Sequence, residues 1–364
     1  METQWIEEYK AAEEKAQSSL PFEEREIFVK YSDRDDVFLP KYESKVTSID
    51  YENPDEEQVK ITRFSEAMEI PAVIKKFKDK DKIQAFINSK LTSGIIITIK
   101  DDSEIKEPIK INSRPSENCA YKILVHAGKN SKASLIIDES SEKNIYFGQN
   151  TDIVTEENSD ITLLSVQNFA GVTAKNYNIS SAGNIEIIEL LTSEGETRER
   201  IWMELLEHSE IKIKQSVIGN KDSYFDIETE INHAAKNTKS NVAYKAALAD
   251  SSKSIYKGVI LQGNTAYNSY AYLSESSLIL SKDAKSISVP SLEIGHNELK
   301  AYHSASTEPI NKNAVFYLMS RGLENNSAKM LITNGFLSQI FSEDTFGYEI
   351  INDKIMKKLN SMEF

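Results

Sequence analysis

From Ala133 to Ile213 the chain reads ASLIIDESSEKNIYFGQNTDIVTEENSDITLLSVQNFAGVTAKNYNISSAGNIEIIELLTSEGETRERIWMELLEHSEIKI. One phrase recurs in it: a small or turn-forming residue, one further residue, then an alternating apolar pair. The instances are Ala133-Ser134-Leu135, Ser159-Asp160-Ile161, Gly183-Asn184-Ile185 and Ser209-Glu210-Ile211, and their apolar positions lie 26, 24 and 26 residues apart. Such spacing marks a solenoid, in which no repeat can bury its own apolar face and each stacks on its neighbours. Alternation such as Ile211, Ile213 and Val217, or Phe225, Ile227 and Ile231, predicts one set of side chains inside the coil and charged or Thr residues outside. The competing architecture is an antiparallel sandwich of evenly spaced hairpins.

The same texture, short β-branched and aromatic runs broken by Asn, Ser, Asp or Gly, extends from Ser93 to Ser306. Later strand candidates at Val242, Ile255, Leu278 and Ile287 keep the texture but lose the clean period. Residues 1–92 read as helical or irregular. Trp5, Ile6, Tyr9 and Ala12 stand at amphipathic spacing, Leu20-Pro21 ends that segment, and Val73, Ile74, Phe77 and then Ile83, Phe86, Ile87 make two further stripes. Residues 307–364 read as helical. Asn313 is the expected N-cap and Gly322 the C′ residue of a first helix, Asn326 or Ser327 opens a second, and Ile350, Ile351, Ile355, Met356, Leu359 and Met362 line a third. Helices after the last coil are expected to cover its unpaired strand edges. The expected fold class is therefore mainly β, a β-helix over 93–306 flanked by N-terminal and C-terminal helical regions.

A net charge of -14 argues against nucleic acid or an anionic membrane as partner. The basic run Lys75 to Lys82 (KKFKDKDK) alternates with Asp and reads as a solvated helix face. The opening METQWIEEYK is acidic where a secretory leader would be basic, and the longest apolar run, Gly94 to Ile99, is far short of a membrane span; the expected location is cytoplasmic. The single cysteine, Cys119, sits in a strand-like run and reads as a small buried hydrophobe. With no thiolate cluster, no stably bound iron–sulfur centre or other cofactor is expected in the isolated chain. A G-x-x-x-x-G-K-[ST] loop is absent from the sequence, so any ATP belongs to another chain. Two enzyme classes built on solenoids fit poorly. Hexapeptide acyltransferases repeat every sixth residue. Polysaccharide-active enzymes would use carboxylates such as Asp226, Glu228 and Glu230, which read here as a solvated outward face.

The stretch from Val289 to Leu337 resembles the SufB/SufD family of iron–sulfur cluster assembly proteins. The likeness is carried by Pro290-Ser291-Leu292-Glu293, by Lys300 to Thr307 (KAYHSAST), by Phe316-Tyr317-Leu318, by Ser320-Arg321-Gly322-Leu323, and by Ala328, Leu331 and Gly335-Phe336-Leu337. Ile153 to Phe169, Ser254 to Leu261 and Leu20-Pro21 continue it more weakly. The resemblance implies a flattened right-handed parallel β-helix and a non-catalytic scaffold that pairs with a SufB-type subunit. It also implies docking of the ABC ATPase SufC through the helical segment Asn311 to Phe341. The position of the SufB cluster thiolate, counted back from Pro290, is Glu275, and the SufB-type carboxylate after the late histidine is replaced by Ser304. Both departures imply a SufD-like chain. What such a chain brings to the shared interface is a histidine, here His303, a candidate metal ligand for a transient cluster shared with the partner. His296, seven residues earlier, is a weaker candidate. A self-paired scaffold is the alternative assembly.

Overall fold

The computed structural model describes residues 4–23, 25–31, 34–68, 71–295 and 297–362. The chain enters through α1 (Gln4–Gln17) and α2 (Glu26–Val29), lays down β1 (Asp50–Glu52) and β2 (Val59–Arg63), and forms α3 (Lys82–Ser89). The solenoid strands are β3 (Ser93–Ile99), β4 (Ile109–Ser113), β5 (Cys119–Ala127), β6 (Lys132–Ser141), β7 (Tyr146–Thr155), β8 (Asp160–Phe169), β9 (Val172–Ser181), β10 (Asn184–Ser193), β11 (Glu196–Leu205), β12 (Glu210–Gly219), β13 (Tyr224–His233), β14 (Lys239–Leu248), β15 (Lys253–Gln262), β16 (Ser269–Ile279), β17 (Lys285–Ile294) and β18 (Leu299–Pro309). Helices α4 (Lys312–Ser320), α5 (Asn325–Leu337) and α6 (Tyr348–Asn360) follow. Each solenoid strand pairs with the strand two places on. The even strands β4 to β18 form one parallel sheet and the odd strands β3 to β17 the other, with β1 and β2 added antiparallel at one end. This is a mainly β chain built on a parallel solenoid of about eight turns, and skipping every second strand excludes a sandwich of hairpins.

Every strand from β6 to β15 is ten residues long. Coil length is therefore set by the turns. Ala133, not Leu135, stands beside Ile161, and the stacked turn residues Asn130 and Asn158 are likewise 28 apart because both turns of that coil have four residues. Two-residue turns shorten the next coil to 24, and one turn of each length gives 26. The two-residue turns need glycine because successive turns stack at backbone contact: a Cβ on Gly195 would lie 2.2 Å from the carbonyl oxygen of Gly171. Longer turns place one residue in the left-handed region, and Asn130, Asn158, Asn237 and Asn268 take it at φ 54° to 60°. Their amides form a ladder, Asn158 donating to Asn130 at 3.1 Å and Asn268 to Asn237 at 2.7 Å.

The inward rows form one core that runs the length of the solenoid, with Phe147 stacked on Phe169 at 4.4 Å and Tyr244 on Tyr256 at 4.1 Å. Charged residues are not confined to the outside, as alternation alone predicts. Lys175 is fully buried between Glu189 (3.4 Å) and Glu139 (3.6 Å), and Gln215 donates to Glu189 at 2.8 Å. Burial pushes the Glu139 carboxyl up to about 7 even with Lys175 beside it.

Both outer faces are covered. On the even sheet Leu164, Val166, Ile188, Leu190 and Ile218 face outward and are buried by Leu337, Phe341, Ile351, Ile355 and Leu359. The C-terminal helices α5 and α6 thus lie along a sheet face and do not cap the last coil, because the outward apolar row Leu164, Val166, Ile188, Leu190 and Ile218 is there. On the odd sheet, Trp5, Ile6 and Phe64 pack on Leu124 and Val154, while Ile83, Phe86 and Ile87 pack around Ala120 and Tyr146. Helix starts also differ from expectation. Asn311, not Asn313, caps α4 by accepting from the N–H groups of Asn313 and Ala314, and α5 begins at Asn325 after Glu324 without a side-chain cap. Gly322 does end α4 at φ 98°, with Leu323 N–H bonded to Leu318 O and its own N–H to Met319 O.

Candidate assembly interface at the last coil

Strands β17 and β18 each pair with one neighbour, β15 and β16, so each carries an edge unpaired within the described chain. A row of free N–H and C=O groups is a template for another strand. The surface around it is apolar in places: Ile294 is 44%, Tyr270 41% and Tyr302 52% exposed, and the two tyrosine rings lie 6.2 Å apart.

His303 stands in register with Leu273, at the end of a row that runs Leu163, Ile187, Ile213, Val242, Leu273. Those five side chains are core, whereas His303 is exposed. The local sequence explains the position: β18 keeps the coil's alternation, so the row passes through residue 303, but no further coil follows to cover it. An imidazole thus occupies the open end of an otherwise aliphatic row. Glu275 lies on the neighbouring strand two positions further along the same face, beside Ala305. It is buried, accepts a hydrogen bond from the Ser288 hydroxyl, and its other oxygen has no partner among the described residues. Burial pushes its carboxyl up to about 7, the Ser288 bond opposing.

That shift has a consequence for stability. With a folded pKa near 7 and an unfolded value of about 4.3, the native chain holds a proton that the unfolded chain has lost between those pH values. Stability contributed by this site therefore falls as pH rises through that window. Glu275→Gln keeps an acceptor for Ser288 and removes the titration. It is expected to stabilise the chain, by about 2 kcal/mol more at pH 8 than at pH 5. Urea melts at the two pH values check this, and an equal effect at both would contradict it.

His296 lies outside the described residues. Among the described residues no group of three or more His, Cys, Asp or Glu side chains is placed to hold a metal ion. Cys119 lies in β5, coils away from β18, and is 1% exposed; burial pushes its thiol up to about 12, so it is no ready thiolate. Among the described residues the last coil offers one imidazole and no thiolate. That donor set fits a ligand lent to a site completed by another chain, and does not fit a self-contained centre.

The outward carboxylates of β13 are not a solvated face. Asp226, Glu228 and Glu230 are 1%, 3% and 7% exposed, roofed by the segment that carries Glu23, Arg25, Lys80 and Asp81. Arg200 binds Asp226 at 3.0 Å and Glu228 at 3.3 Å, Lys257 binds Asp226 at 3.1 Å, and Glu230 takes Arg25 and Lys80. These groups are engaged with one another and unavailable to a polysaccharide. The run from Lys75 to Lys82 belongs to the same roof: it is a short 3-10 turn and an extended stretch, with Asp81 capping α3, and not a helix face. A second exposed apolar surface lies on α4 and α5, where Phe316 (73%), Tyr317 (56%), Met319 (42%) and Leu331 (52%) face solvent while Val315, Ala328 and Leu337 are buried.

Fold and last coil together define a parallel β-solenoid with an open end and an exposed histidine, His303, on its last strand. The family model described as "SUF system FeS cluster assembly, SufBD core domain" matches residues 110–336, and the chain belongs to this SufBD family. An iron–sulfur cluster assembly SufBD family protein of Antithamnion sp. is 26% identical over 269 residues, 70% of this chain and 90% of that protein. One from Staphylococcus epidermidis is 22% identical over 317 residues, 79% of this chain and 63% of that protein. One from Porphyra purpurea is 28% identical over 131 residues, 36% of this chain, and the match spans only 27% of that protein's length. Among the described residues no helix is long and apolar enough to cross a membrane.

Proposed function

We propose that the chain is a SufD-like, non-catalytic scaffold subunit of an iron–sulfur assembly complex. In this reading its last coil pairs with a SufB-type subunit, His303 contributes a ligand to a cluster assembled at the joint, and the exposed face of α4 and α5 docks the ATPase SufC. The cluster is cargo, held transiently and shared. The observation that carries the reading is the open edge of β17 and β18, a strand template ringed by exposed aromatic and aliphatic side chains. A second copy of the chain could offer the same edge, and self-pairing is the alternative outcome.

The test is co-expression with SufB-type and SufC-type proteins of the same host, followed by native mass spectrometry and titration. Tyr302→Lys is expected to weaken pairing by about tenfold or more, as loss of an interface tyrosine commonly does, without lowering the melting temperature. Phe316→Glu is expected to abolish retention of the ATPase and spare pairing. Undiminished pairing by the Tyr302 variant would move the interface elsewhere, and a homodimer that excludes the SufB-type protein would favour the alternative assembly.

A further inference from the structure

Between the C-terminal half of α6 and the turns after β6, β8 and β10 lies a cavity of about 530 Å³, within the range of about 300–1,000 Å³ usual for small-molecule sites. Lys354, Lys357 and Lys358 of α6 line it, the three positions that share one helix face. Lys354 is bound to Asp138 at 3.0 Å and Lys357 to Asp353 at 2.7 Å. Lys358 is different. Its side chain is only 9% exposed and makes no hydrogen bond from its ammonium among the described residues; the nearest carboxylate, Glu194, is 3.9 Å away and is already held by Lys221 at 2.6 Å. A largely buried lysine whose ammonium has only a 3.9 Å ion pair is weakly compensated, and burial holds its pKa below the ordinary lysine value, with Glu194 opposing.

The rest of the wall supplies what a ligand with one charged end would need. Asn168 accepts from the Thr192 hydroxyl at 2.9 Å through its carbonyl oxygen, and its amide N–H groups have no partner among the described residues. Val166 and Leu190 add an apolar strip. The acidic wall residues Asp138, Glu139, Glu142 and Glu194 oppose a multiply charged anion. Asp138 is matched by Arg114 and Lys354, and Glu194 by Lys221. Of the three wall lysines, Lys358 is the one without a hydrogen-bonded carboxylate among the described residues. We propose that this cavity binds a small organic monocarboxylate, its carboxylate taken by Lys358 and Asn168 and its apolar part laid on Val166 and Leu190. This site is independent of the assembly reading above.

Isothermal titration of the full chain with benzoate, hexanoate and inorganic phosphate tests it. A carboxylate is expected to bind saturably with one site per chain, and phosphate at least tenfold more weakly. Lys358→Met is expected to weaken the carboxylate by about tenfold or more, and Asn168→Ala, a change at an exposed residue, by severalfold. Glu194→Gln is expected to tighten it, because it removes the nearest like charge. Absence of saturable binding by either carboxylate, tighter binding of phosphate, or unchanged affinity in both the Lys358 and Asn168 variants would overturn the proposal.

Discussion

Replacing Arg200 with methionine is expected to cost the folded chain about 3–5 kcal/mol at neutral pH, the usual penalty for removing one partner from a buried ion pair. Arg200 is 1% exposed and spends its whole guanidinium on the roof of the odd sheet. It grips both oxygens of Asp226, at 3.0 and 3.2 Å, and reaches Glu228 at 3.3 Å and Glu23 at 3.7 Å. Lys257 alone cannot compensate the carboxylates left behind, since it already serves Asp226 at 3.1 Å and Glu23 at 3.2 Å. Arg200 and Lys257 now hold Asp226 down at about 2 against a burial that would raise it, whereas burial already pushes Glu228 up to about 7. Without Arg200, Asp226 loses its main source of depression and Glu228 rises further in the folded state. The variant should then take up protons on folding, so its stability improves as pH falls from 7.5 to 5.5 and its deficit against the wild type shrinks. Urea denaturation at the two pH values measures this. A variant within about 1 kcal/mol of wild type at pH 7.5 would mean that the network is solvated in practice and that the N-terminal segment lies loosely on the sheet.

The solenoid was legible because its period is written in the strands themselves. Ten-residue strands with a fixed inward parity put Ile161, Ile185 and Ile211 in one row, as the 24- and 26-residue spacings predict. The recurring phrase puts Leu135 beside Ile161, 26 residues on, whereas two four-residue turns make that coil 28 residues long and bring Ala133 there instead. The covering of the faces was legible only in part. Adjacent apolar pairs, Leu163-Leu164, Ile187-Ile188 and Leu190-Leu191, break strict alternation and mark strands buried on both sides. They say that something covers the even sheet but not what, so the C-terminal helices were assigned to the end of the coil. The roof on the odd sheet had a subtler signal. Arg200 and Glu228 stand beside each other in register, as do Glu228 and Lys257, a cross-strand ladder of alternating sign that a solvated face does not require. That ladder appears only once the register is known. His303 is singled out by family resemblance and not by chemistry, since a lone histidine carries no pattern. Its place at the open end of an aliphatic row is a property of the last coil.

Substituting His303 by alanine is expected to leave the fold and the partnership intact and to suppress cluster formation by tenfold or more, on the order of what loss of a metal-site group costs. The side chain is exposed and is followed by no covering coil, so its truncation removes little packing and should change stability by about 0.5 kcal/mol or less. What it removes is the only His or Cys side chain on β17 and β18. Neutral imidazole ligates iron, and two imidazoles stand in for thiolates in Rieske centres, so a mixed site with thiolates from a partner is chemically sound. A joint made of strand edges can part without unfolding either chain, which suits a site that must release what it holds. If the histidine were only structural, damage would run in the opposite order: lower melting temperature or lost pairing first, with any assembly defect following. His303→Cys supplies the second discriminant. A thiolate at the same place should restore cluster formation in part if the position is a ligand, and should restore nothing if the ring merely packs. His296→Ala should be nearly silent. The measurement is cluster formation on the reconstituted complex, taken together with its melting temperature and stoichiometry. Normal assembly by an intact His303→Ala complex would leave this chain as a scaffold that contributes no ligand through β18, and the thiolates of its partner would have to suffice.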